Sequence, residues 1–225
     1  MSEQENTHYE TIGRILSEAG FFLLARNENV RVEKGIISTA YGNIISKKTD
    51  VDQDVNKNDV SVYINGDEFV VKEIDAENGR ITLEDTEQTT QNAKVTYRYS
   101  PVMVSFAEVT REDVENRIRK KLSGMSGCEC MKKADFKESL RMITRLWAAG
   151  LLQTKDYGYN VDSEETSKDG YRKINEAKSL LNELYDECAA NCGQDDVNGG
   201  AAEVIGGAGG NLFGDFDHRR PRGDF

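Results

Sequence analysis

The chain has 225 residues, which at about 150 per domain leaves room for one large or two small domains. Apolar residues make up 37% and charged residues 31%, a balance that excludes collagen-like, mucin-like and wholly disordered classes. The net charge of -11 argues against a general DNA-coating surface, because binding phosphate needs clustered Lys and Arg. The longest apolar run, Ala19 to Ala25, is far shorter than the roughly 18 to 20 residues a bilayer span requires, so no membrane segment is predicted. The acidic start Ser2-Glu3-Gln4-Glu5 lacks the basic and then apolar pattern of an export signal, which makes folding in a reducing cytoplasm the default expectation.

Along the chain, Thr7 to Val32 admits two readings. Thr7 with Glu10 makes a capping-box pattern, and Tyr9, Ile12, Ile15, Leu16 and Ala19 recur at helical spacing, which gives a short helix ending at Gly20. The other reading places Gly13 in a strand that turns at Ser17 to Gly20 into the apolar run Phe21 to Leu24. From Val60 to Tyr99 the pattern is β. Val62 and Ile64 alternate with polar neighbours, Asn65-Gly66 fits a type I′ hairpin turn, and Phe69 to Ile74 is the return strand. Asn78-Gly79 precedes Ile81-Thr82-Leu83, and Val95, Tyr97 and Tyr99 alternate again, so four strands in a meander are expected, with a polar loop from Glu84 to Asn92.

After Pro101 the period becomes helical. Thr110 is the predicted N-cap of a helix, with Asp113 at its third position, Val109 stapled onto Val114, and a stripe of Val114, Ile118 and Leu122. A loop of small residues follows from Ser123-Gly124 to about Lys133. Ala134 to Leu152 is the strongest helical pattern, with Phe136, Leu140, Ile143, Leu146, Trp147 and Leu151 on one broad face. A second long helix is predicted from Ser167 to Ala190, with Tyr171, Ile174, Ala177, Leu181, Leu184 and Tyr185 inward, completing a helical hairpin. From Gly193 the composition turns Gly-rich and reads as a flexible linker up to Asn211. Beyond it Leu212, Phe213, Phe216 and Phe225 are interleaved with Arg219, Arg220 and Arg222, the residue types of an interface anchor. These seven residues are the candidate partner-docking site. The fold class is therefore α+β: a β-rich meander or small barrel over 1–101, a helical domain over 102–192, and a tail over 193–225.

Chemistry-bearing residues are sparse. The two histidines, His8 and His218, lie near the termini, and no Walker loop, dinucleotide fingerprint or HExxH motif is present, so no catalytic, cofactor or metal site is predicted. Cys128 and Cys130 sit in a loop, and Cys188 and Cys192 at i, i+4 on a helix end. Free or partly buried thiols are the leading expectation for them, with a four-thiolate zinc site or cross-bridging disulfides as the alternatives. The basic run Arg117, Arg119, Lys120, Lys121 lies where cations favour a helix C-terminus, and a surface for nucleic acid or an acidic partner is its second reading.

Two stretches carry a family resemblance. Val62-x-Ile64-Asn65-Gly66, Val71-x-x-Ile74-Asp75, Gly79-x-Ile81-Thr82-Leu83 and Val95-Thr96-Tyr97-x-Tyr99 resemble a β module of virion proteins in tailed phages and related archaeal viruses. The helix at Val114, the long helix to Leu152, Tyr157-Gly158-Tyr159-Asn160, Lys168-Asp169-Gly170-Tyr171 and Ala177-x-x-Leu180-Leu181 resemble the head-tail connector, or adaptor, of those viruses. The resemblance implies a structural protein of the virion neck, assembled in the host cytoplasm. It would form a homo-oligomeric ring, commonly a dodecamer, between the portal protein and a tail or stopper protein. DNA would pass through the lumen without sequence-specific binding, and no membrane or cofactor is involved. The β segment ahead of the helices departs from the family pattern. The alternative function is a soluble binding or regulatory module, zinc-stabilised and dimerising through its helical hairpin.

Overall fold

The computed structural model describes residues 8–50, 52, 55–84, 91–155 and 163–192. The architecture is α+β, a nearly closed antiparallel sheet and a layer of helices. Helix α1 (Ile12–Glu18) settles the ambiguity of the first segment in favour of a helix. Its N-cap is Thr11, whose Oγ1 accepts from Arg14 N, so the helix begins after the expected Thr7–Glu10 capping box, of which Thr7 lies outside the described residues. Glu10 is instead buried and faces Arg145.

Eight strands follow among the described residues: β1 (Leu23–Glu33), β2 (Ile36–Ser38), β3 (Ile44–Ile45), β4 (Ser61–Ile64), β5 (Asp67–Phe69), β6 (Val71–Asp75), β7 (Arg80–Leu83) and β8 (Gln91–Tyr99). They are ordered β5-β4-β8-β1-β2-β7-β6, with β3 also pairing β8. This differs from a meander. The expected return strand Phe69 to Ile74 is split at Val70, its first half pairing with β4 and its second with β7. The two ends of the strand order are therefore adjacent in the chain, and the sheet curls round until β5 and β6 meet through one exposed residue. One face of every long strand fills the interior: Val32, Ile37, Val62, Ile64, Ile81, Leu83, Val95 and Tyr97 are all buried. Asn65 and Gly66 both have positive φ, 53° and 98°, as a type I′ turn requires. A bulge between Ala25 and Glu28, with Asn27 at φ 51°, lets the long strand β1 bend while its inward alternation resumes at Val30.

Helix α2 (Val104–Leu122) starts well before the predicted Thr110 N-cap. Thr110 lies mid-helix and returns its hydroxyl to Phe106 O at 2.9 Å, and Val109 is 62% exposed instead of stapling onto Val114. Nothing between Met103 and Thr110 breaks a helix, so the helix extends back toward Pro101. Val114, Ile118 and Leu122 are buried as the stripe predicts. The loop that follows contains two 3-10 turns, Ser123–Met125 and Glu129–Lys132. Helix α3 (Ala134–Thr154) and helix α4 (Ser163–Cys192) form the expected hairpin. Tyr171, predicted inward, is 56% exposed. Its neighbour Gly170 takes the contact with α3, because a Cβ at Gly170 would lie 2.8 Å from Gly150 O and one at Gly150 would lie 2.6 Å from Gly170 O. Two facing glycines let the helix backbones touch, and this turns the next residue away.

The four cysteines are paired: Cys128 with Cys192 and Cys130 with Cys188, their Cα atoms 5.5 and 5.7 Å apart. The expectation of free thiols is corrected, and no thiolate set is left for zinc. The second 3-10 turn brings Cys128 and Cys130 against consecutive turns of α4, so the i, i+4 spacing of Cys188 and Cys192 matches the two bridges. The α3–α4 hairpin is thus held at one end by glycine contact and at the other by disulfides.

The helical core includes Ile12, Ile15, Leu16 and Ala19 of α1 together with α2, α3 and α4, while the sheet interior is a separate cluster. The first helix therefore belongs to the helical body, and the sheet is an excursion between α1 and α2. A boundary at residue 101 divides the sequence but not the packing.

Candidate functional site

Where the sheet leaves and re-enters the helical body, charged groups are drawn into the junction. The connection between β3 and β4 reaches α1: Thr11 Oγ1 donates to Thr49 O at 2.5 Å, and Ile12 N donates to Asp52 Oδ1 at 2.7 Å. Asp52 also pairs with the buried Arg111 of α2, whose Nη1 donates to Glu10 O at 3.1 Å. Further along α2, the fully buried Glu115 accepts from Tyr9 N at 2.7 Å and from Arg119 Nη2 at 2.9 Å, and lies 3.0 Å from His8 Nδ1. At the other end of α1, Lys173 donates to Glu18 O at 2.6 Å and pairs with the Glu18 carboxylate. Each of these buried charges is met by a partner from a distant segment, which is the condition for keeping a charge out of water. With Arg145 of α3, which pairs with Glu10 and Glu18, these contacts join α1, the β3–β4 connection, α2, α3 and α4 into one block.

Beside this junction opens a cleft of about 570 Å³. Ile12 and Leu16 of α1, Ile44 and Ile45 of β3 and Val104 at the start of α2 supply its apolar lining, and Met103, 46% exposed, stands at its edge. Lys48, Glu77 and Glu108, all exposed, mark its mouth. Among the described residues, neither Glu77 nor Glu108 has an ion-pair partner, whereas Asp52 on the inner wall is engaged by Arg111 and Ile12 N. The cleft combines apolar burial with an acidic rim, suited to a ligand that offers apolar anchors beside cations.

On the sheet, Tyr97 Oη donates to Glu28 Oε2 at 2.5 Å and accepts from Tyr41 N at 3.3 Å, and Tyr41 stacks on Tyr99 with centroids 4.2 Å apart. Burial, and then the hydrogen bond to Glu28, push the Tyr97 hydroxyl well above its ordinary pKa.

The predicted docking residues Leu212, Phe213, Phe216, Arg219, Arg220, Arg222 and Phe225, like Tyr157-Gly158-Tyr159-Asn160, lie outside the described residues. The basic run at the end of α2 is drawn into local pairs: Arg117 with Asp113 at 2.8 Å, Arg119 with Glu115, and Lys121 over the Tyr185 ring. Among the described residues no group of His, Cys, Asp and Glu is arranged to hold a metal ion, and no helix is long and apolar enough to cross a membrane. The sequence reading missed the cleft and the junction, because their residues are far apart in the chain. One signal was present: Arg111 and Glu115 fall on the same helical face as Ala107, Val114 and Ile118, and a charge on an apolar stripe marks a buried pair. Comparison with protein-family models, curated proteins and solved structures finds no match.

Proposed function

We propose that the protein is a head-tail connector of a tailed virus, a structural block that assembles into a ring between portal and tail in the virion neck. The observation that carries this reading is the way the two resembling stretches are joined. The β module of Val62 to Tyr99 leaves and re-enters the helical body, and Asp52, in the connection that leads into it, fastens the two parts together through Arg111 and Ile12 N. A ring subunit must transmit force between neighbours without changing shape, and a block with cross-linked helices and paired buried charges meets that demand. The net charge of -11 supports the same reading, since an acidic lumen lets DNA slide without adhering. The finer architecture belongs to this proposal: a small barrel, a helical connector domain, and a C-terminal tail that docks on a partner. The mass of the purified full chain, measured alone and with its portal protein, tests it. A ring of about twelve copies on the portal is expected, and a chain that stays monomeric or dimeric with portal present overturns the proposal. The cleft gives a second reading, a ligand-binding module, some weight; the same measurement separates the two.

A further inference from the structure

We propose that the cleft of one copy receives the C-terminal peptide Leu212–Phe225 of a second copy of this chain. The inference rests on the ring reading and supplies its subunit contact. The cleft asks for apolar side chains flanked by charge: Ile12, Leu16, Ile44 and Val104 form its lining, while Lys48, Glu77 and Glu108 stand at its mouth. The peptide offers that chemistry. Phe213 and Phe216 are apolar anchors accompanied by Asp215 and Asp217, and Arg219, Arg220 and Arg222 follow within a few residues. By count the acids and bases of the peptide balance, so complementarity lies in the order of charge and not in its sum. The Asp residues beside the Phe anchors match Lys48, and the Arg cluster matches Glu77 and Glu108, neither of which has an ion-pair partner among the described residues.

Chain geometry allows the contact and symmetry gives it a purpose. The last described residue, Cys192, is tied to Cys128 just beyond the C-terminal end of α2, whereas the cleft lies at the N-terminal end of that helix, about 28 Å away along its 19 residues. The segment 193–211 spans at most about 65 Å, more than twice that distance, so its reach does not confine the peptide to its own subunit. A peptide that leaves one end of a subunit and enters the opposite end of the next makes a heterologous contact, the type that builds a ring when the rotation between neighbours closes.

The experiment uses the full chain with a photoreactive benzophenone side chain at position 216, prepared as an equal mixture of light-isotope and heavy-isotope copies and irradiated in the assembled state. The expected result is cross-links from position 216 to Met103, Val104 or their neighbours, about half of them joining a light copy to a heavy one. In the E77R/E108R variant the cross-link yield should fall at least tenfold, and adding R219E/R220E to that variant should restore it. Cross-links confined within one copy would make the tail a strap on its own subunit and overturn the proposal, as would cross-links elsewhere or none. Ring formation on the portal is scored separately. Rings without the cross-link sink the docking contact and leave the connector reading standing, and the cross-link without portal rings does the reverse.

Discussion

Removing the disulfides one pair at a time should reveal that the two bridges share one loop. Cys128–Cys192 closes 64 residues and Cys130–Cys188 closes 58, and either alone removes unfolded-chain entropy worth about 4 kcal/mol. With one bridge in place, the other closes only the short segments 128–130 and 188–192, which is worth about 2 kcal/mol by the same relation. C128S/C192S and C130S/C188S should therefore each cost about 2 kcal/mol, and the quadruple variant about 6. Urea unfolding followed by fluorescence reads this directly, because the single tryptophan, Trp147, is 3% exposed in the helical core that the bridges hold. If each pair costs about 4 kcal/mol on its own, the loops act independently and the nested-loop reasoning fails. A quadruple variant as stable as the parent would show that the bridges do not form at all.

Further outcomes follow from named contacts. Trp147→Ala should cost about 3 to 5 kcal/mol, with Leu146→Ala adding less because Leu146 is only half-buried; an unchanged melting temperature for the double variant would remove that face from the core. Glu115→Ala removes the acceptor of Tyr9 N and one of several partners of Arg119 and should cost about 1 to 3 kcal/mol, with faster proteolysis of the N-terminal segment as the readout. Gly150→Ala should destabilise by about 1 to 3 kcal/mol despite the better helix propensity of Ala, since its Cβ meets Gly170 O; a stabilised variant would mean the helices separate freely. The pH dependence has a defined sign at both ends. Hydrogen bonds from the Asn78 side chain and backbone lower the Asp75 pKa, and Arg172 lowers that of Asp169, so their stabilisation is complete above the ordinary 3.8 and is lost as the pH falls through the lower folded values. Tyr97, raised in the folded state, contributes stability below its ordinary 10 and loses it as the pH rises further, a loss that Tyr97→Phe should abolish in alkaline unfolding curves.

What was legible in the sequence was local. Asn65-Gly66 specified its turn because only a few residues accept two successive positive φ values, and the apolar stripe of α3 specified a helix because its period is long and uninterrupted. What was not legible depended on partners far along the chain. The strand from Phe69 to Ile74 reads as one piece, and its division at Val70 arises only because β4 and β7 sit on different sides of a curled sheet. Val109 reads as a staple onto Val114 and Tyr171 as an inward residue, but the earlier start of α2 and the facing glycines leave both at the surface. The cysteine spacing fitted three outcomes, and the approach of a 3-10 turn to the end of α4 selects one. The cleft is assembled from α1, two parts of the sheet and the start of α2, so no local pattern carries it.

The proposed role is that of a ring through which DNA passes. Electron microscopy of the full chain assembled on its portal protein tests that most directly. The expected image is a rotationally symmetric ring stacked on the portal, with a central opening wide enough for a B-form duplex. Portal particles with no added layer, or an added layer that seals the opening with no symmetric arrangement of this chain, would contradict it.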